Sequence, residues 1–168
     1  MKTICKIIGG ISTFSMLFQA CAPSSNEKMI LAKSDSLFIR VRCVKTVSEL
    51  IENTLLIPMQ KKLQYKIDYI IETYPDTITK TQAEKIIQIK NVHDSYDGLI
   101  LTSKELQKRS ALQLLQVKKL NSEIGRGKDE NTLQYLTFEN KCADSLNIVL
   151  NALIKKSIEL SCKSQSFN

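Results

Sequence analysis

From Val44 to Leu160 apolar residues return every three or four positions, and that period restricts the chain to packed α-helices. A stripe through Ile51, Leu55, Met59, Leu63, Ile67, Ile70 and Tyr74 predicts a first helix. Pro58 falls inside it and has no N–H to donate, so a kink or break is expected near Leu55. Pro75-Asp76 stops the helix. Thr81-Gln82-Ala83-Glu84 then fits a capping box, in which a hydroxyl and a carboxylate satisfy two backbone donors that would otherwise be orphaned. Ile86, Ile89, Val92, Tyr96 and Leu99 form a second stripe. Asp97-Gly98 is a candidate end for that helix, and Thr102-Ser103-Lys104-Glu105 a candidate cap for the next. The third stripe is Leu106, Ser110, Leu114, Val117, Leu120 and Ile124. Gly125-Arg126-Gly127-Lys128 reads as a turn between helices. Asp129 or Asn131 opens a fourth helix, with Leu133, Leu136, Leu146, Leu150, Leu153 and Leu160 as its apolar positions.

The expected fold is therefore all-α: an antiparallel up-down helical bundle of four helices over residues 45–162. Three long helices are the alternative, since a helix that ran through Gly98 would lose only about 1 kcal/mol relative to Ala. With five Gly and three Pro in 168 residues, tight turns are too few for a many-stranded β fold. Residues 21–44 read as a tether and extended lead-in, in which Phe38 to Val44 alternates like a strand but has no partner strand. Residues 163–168 read as a polar, frayed tail.

Residues 1–20 read as a signal peptide. Met1 to Lys6 is short and basic, and Ile7 to Phe18 is apolar and uncharged. That run is shorter than the roughly 20 residues that span a bilayer. Leu17-Phe18-Gln19-Ala20-Cys21 resembles the lipobox of bacterial lipoprotein precursors, with Ala20 and Cys21 matching and Phe18 and Gln19 departing from the commonest residues. The resemblance covers this segment alone. It implies cleavage before Cys21, a diacylglycerol on the Cys21 thiol and acylation of the freed amine. Ordinary signal-peptidase cleavage fits less well: a cut after Ala20 leaves Phe18 at the third position, and a cut after Ala22 meets Pro23. Ala22 is not the Asp that, by the family's rule in enteric bacteria, holds a lipoprotein at the inner membrane. The resemblance thus implies the outer membrane, with the face left open.

Loss of Lys2 and Lys6 with the signal leaves 22 basic residues against 17 acidic. Pairs such as Lys61-Lys62, Lys118-Lys119 and Lys155-Lys156 read as solvated helix faces. Arg40, Arg42 and Lys45 cluster near the anchor, where each cation could contribute about 1 kcal/mol against anionic head groups. Nucleic acid is not an expected partner, because export removes the chain from it.

No catalytic, cofactor-binding or metal-binding set emerges. His93 is the single histidine, with no second His and no Cys at ligand spacing, and it reads as a half-buried residue bonded to a neighbour. Gly125-Arg126-Gly127-Lys128 lacks the preceding strand and the Gly-Lys-Ser/Thr pattern of a phosphate loop. Asp94, Asp97 and Glu105 read as solvated charges near a helix junction, and Tyr65, Tyr69 and Tyr74 as packing residues. With Cys5 removed and Cys21 lipidated, Cys43, Cys142 and Cys162 remain in a compartment that permits disulfides. In a four-helix bundle the start of the first helix and the end of the fourth share one end. A Cys43–Cys162 disulfide is then expected, with Cys142 left as a thiol; in a three-helix bundle Cys43 finds neither partner.

The functional expectation is a lipid-anchored envelope lipoprotein acting as a helical binding or scaffolding module. Its partners would be the membrane, through lipid on Cys21, and another envelope protein, with no cofactor and no small-molecule ligand. An immunity or inhibitor protein against an exported toxin is the alternative, and a structural spacer or an envelope enzyme are further readings. An enzyme would need a cleft with paired carboxylates.

Overall fold

The computed structural model describes residues 25–74, 78–124 and 131–167, and helices account for nearly all of them. Helix α1 runs Ser25–Ile51 and passes through a π-helical turn, Glu52–Leu56, directly into α2, Ile57–Thr73. Helix α3 runs Lys80–Ile124 and α4 runs Thr132–Gln165. Because α1, the π turn and α2 form one path, the described residues make a bundle of three helices.

Cross-helix bonds set the directions. Asp35 pairs with Asn121, Glu52 with Gln107 and Gln60 with Asp97, so rising numbers on the first path meet falling numbers on α3. Gln113 meets Glu139 and Tyr96 meets Ser164, so α4 runs against α3. Arg40 meets Asn140 and Asp144, and Lys66 meets Phe167, so α4 runs alongside the first path in the same sense. The result is an up-down-up bundle.

The inward face keeps a seven-residue rhythm. On α4 the buried positions are Leu136, Glu139, Ala143, Leu146, Leu150, Leu153, Ser157, Leu160 and Ser164, with steps alternating three and four. On α3, Ile89, Tyr96, Ser103, Leu106, Ser110, Gln113, Val117, Leu120 and Ile124 follow the same rhythm. Such a repeat keeps helices in contact by winding them into a left-handed supercoil. Serines recur in the seam and let backbones approach closely: Ser103 Oγ donates to Ser48 O at 3.0 Å between fully buried residues. Gln113 Nε2 donates to Glu139 O at 2.7 Å, tying α3 to α4.

The expectation of four helices is corrected at Gly98, where α3 continues unbroken. Val92, Tyr96, Leu99, Ser103 and Leu106 carry one stripe across the glycine, and their packing outweighs its propensity cost of about 1 kcal/mol. Thr102 and Ser103 therefore cap nothing. Thr102 Oγ1 donates back to Gly98 O at 2.8 Å, and Ser103 lies in the core.

The extended lead-in is also corrected, because residues 25–44 are helical. Leu37, Val41 and Val44 fit three-and-four spacing and are buried. A helix satisfies its own backbone donors, whereas a lone strand leaves them unpaired. At the other end α4 extends through Gln165, Ser164 is buried against the Tyr96 hydroxyl at 3.3 Å, and Phe167 packs on the core. The stretch after Lys163 is thus folded onto the bundle as far as Phe167.

Pro58 acts where expected but bends the pattern rather than breaking the helix. Ile57 N–H reaches back to Glu52 O, five residues away, and Thr54 Oγ1 donates to Leu50 O at 2.7 Å. The extra residue in this turn rotates the stripe by one position. Glu52 and Leu56 take the inward places, while Ile51 and Leu55 are only half-buried. The capping box lies two residues earlier than expected. Thr79 N–H donates to Gln82 Oε1 at 2.8 Å, and Gln82 N–H returns to Thr79 Oγ1 at 3.3 Å. Two leucines fall off the seam: Gln113 is buried beside half-buried Leu114, and Thr132 beside exposed Leu133.

Candidate functional site

Helix α4 ends at Gln165, with a turn through Ser166 and Phe167 whose N–H groups bond back to Lys163 O and Ser164 O. The Lys66–Phe167 bond places that end opposite the middle of α2. Beyond it α2 runs on to Thr73 and α3 starts at Lys80, so these two helices project past α4 as a pair. About eight residues of each, or roughly 12 Å, have no third helix beside them among the described residues. Tyr65, Tyr69, Ile71, Tyr74, Ile78 and Ile87 are all exposed on or beside this tip.

A cleft of about 240 Å³ opens where α4 stops, lined by Tyr65, Lys66, Tyr69, Ile70, Lys85, Ile89 and Phe167. Its walls are aromatic and aliphatic, and its charged groups are cations. Lys66 Nζ donates to Phe167 O at 2.8 Å. Its pKa is lowered by burial and, after that, by repulsion from Lys62 and Lys85. The Lys66 and Lys85 ammonium groups thus border one apolar surface. The tyrosines were expected to be packing residues; Tyr65 and Tyr69 are instead 72% and 58% exposed, beside the turn that ends α4. A stripe pattern cannot reveal this site, because it depends on where α4 ends relative to its neighbours.

The other singled-out residues are dispersed. Cys21, the lipidation candidate, and Gly125 to Lys128 lie outside the described residues. Of the basic cluster, Arg40 is paired with Asp144 and bonded to Asn140 at 3.2 Å, and Lys45 is paired with Glu49 at 2.6 Å. Those two cations are committed to the bundle surface. His93 Nδ1 lies 3.1 Å from Asp94 Oδ1, and Asp97 one turn on brings a second carboxylate within 4.8 Å. Asp97 accepts from Gln60 Nε2 at 2.5 Å, and both carboxylates are exposed. Glu105 stands two turns further along α3, beside Leu101 and Arg109, and joins no carboxylate pair with them.

Cys43, Cys142 and Cys162 are free thiols. The Cys43–Cys162 pairing is corrected by topology. Arg40 stands level with Asn140 and Asp144, so Cys43 lies about 25 Å along the axis from Cys162, against the roughly 7 Å a disulfide allows. Burial pushes the Cys142 thiol pKa up, the Glu139 carboxylate adds to the shift, and Arg109 opposes it.

Comparison with protein-family models, with curated proteins and with solved structures finds no match to this chain. Among the described residues no helix is long and apolar enough to cross a membrane.

Proposed function

We propose that the protein is a lipoprotein of the bacterial cell envelope, held by lipid on Cys21, whose helical bundle serves as a binding or scaffolding module for another envelope protein. The observation that carries this reading is the succession of Leu17-Phe18-Gln19-Ala20-Cys21 and a helix that begins at Ser25. A lipidated Cys21 would place the anchor four residues from the start of α1. From Ser25 to Thr73 the α1–α2 path spans about 70 Å at 1.5 Å per residue. The aromatic tip lies at the far end of that path, so the bundle would hold it well clear of the lipid surface. The Ala22 rule favours the outer membrane. No catalytic step and no cofactor enter this proposal.

Metabolic labelling with radioactive palmitate tests the anchor. The native protein is expected to carry label and to sediment with membranes, and Cys21→Ser is expected to lose both properties. A native N-terminus at Pro23, or a protein without lipid, overturns the reading.

A further inference from the structure

Toward the tip the core ends in a single layer. Ile67 on α2 and Ile89 on α3 are the last fully buried residues there among those described, and beyond them Ile70 and Ile86 are only half-buried. A third side chain joins this layer from outside the helices. Phe167, two residues past the end of α4, packs on the core and lines the cleft together with Ile70 and Ile89.

The chain after α4 is folded so as to deliver that ring. Ser166 N–H donates to Lys163 O at 3.2 Å and Phe167 N–H to Ser164 O at 3.4 Å, which curls the backbone round after Gln165. Lys66 Nζ then donates to Phe167 O at 2.8 Å, joining the turn to α2. The buried Ser164 joins its base to α3, with the two hydroxyls of Ser164 and Tyr96 3.3 Å apart. One short turn therefore contacts both helices of the tip at the level where their own core gives out.

Short helical segments in water depend on tertiary packing, and the parts of a fold with few buried contacts open without global unfolding. Past Ile67 and before Ile89 the two tip helices have only each other among the described residues, apart from this turn.

We propose that the Ser166-Phe167 turn is a latch: it closes the α2–α3 tip, and its release lets residues 64–73 and 80–92 open as one unit while the rest of the bundle stays folded. Phe167 is the side chain that fills the cleft, and it comes from this chain itself. The latch depends on neither the lipid anchor nor any partner.

Hydrogen exchange of the full chain, purified in a mild detergent and read by mass spectrometry, tests it. In Phe167→Ala, peptides covering 64–73 and 80–92 are expected to exchange at least tenfold faster than in the parent. Peptides covering 100–114 and 139–153 should change by less than twofold. Phe167→Leu restores an apolar filling and is expected to keep the tip within threefold of the parent. Tip peptides unmoved by Phe167→Ala overturn the proposal. So does faster exchange confined to residues 163–167, which would mean that the ring secures only its own turn. Equal acceleration of all four peptides would show a loss of global stability rather than the release of a latch, and would overturn it as well.

Discussion

The Ser103 hydroxyl donates to the Ser48 carbonyl oxygen at 3.0 Å, with both residues wholly buried between α1 and α3. This bond fixes the register of the two longest paths. It also takes a residue that reads as a helix cap and places it in mid-helix. Gln107 Nε2 supports the same hydroxyl at 3.1 Å. By contrast Ser110, one heptad further on, is wholly buried with a hydroxyl that has no hydrogen-bond partner among the described residues.

The two serines should therefore respond oppositely to alanine. Each gains the same helix propensity, so that term cancels. Ser103→Ala loses a bond and strands acceptor and donor groups, whereas Ser110→Ala removes a desolvated hydroxyl. Urea unfolding is expected to find Ser110→Ala more stable than Ser103→Ala by about 1.5 kcal/mol. Equal stabilities would mean that the Ser48–Ser103 contact is not the one that sets the register.

Gly98 tests the continuity of α3. A Cβ there meets nothing within 4 Å, and the backbone is helical. Gly98→Ala is expected to raise stability by about 0.5–1 kcal/mol, seen as a higher Tm. A destabilised variant would indicate a turn at this position and a fourth helix.

The inward face is tested by a matched pair of charges. Leu63 is 2% exposed and Leu115 is 66% exposed. Leu63→Asp should cost at least about 3 kcal/mol, because an unpaired carboxylate would enter the core. Leu115→Asp should stay within about 0.5 kcal/mol of the parent. Thermal melts of the two variants separate these outcomes directly.

Thiol chemistry reports on the α3–α4 face. Cys43 and Cys162 are exposed, while Cys142 is half-buried with a raised pKa. The thiolate is the reactive form, so a raised pKa leaves less of it at a given pH. Maleimide applied without reductant is expected to modify all three residues of the folded protein, Cys142 last. The Cys142 rate should climb by nearly tenfold per pH unit until its pKa is reached. Arg109→Gln removes the opposing cation and should slow Cys142 further. A Cys43–Cys162 peptide in a non-reducing map would contradict the parallel course of α1 and α4.

What the sequence determined by itself is local: helices, the all-α class, the stop after Tyr74 and the disturbance before Pro58. These follow from spacing and from the hydrogen bond a proline cannot make. The inward face was legible along most of α3 and α4, apart from Leu114 and Leu133, and misplaced by one residue at Ile51 and Leu55. There the π turn decides, since one extra residue turns every later side chain by about 100°. The number of helices needed the tertiary structure. Gly98 costs little enough that packing of Tyr96, Ser103 and Leu106 overrides it, and no local rule weighs that packing. The tip needed it as well. Tyr65 and Tyr69 sit one turn apart on α2 and Lys85 lies on α3, and only the length of α4 relative to these two helices leaves the tyrosines exposed beside it.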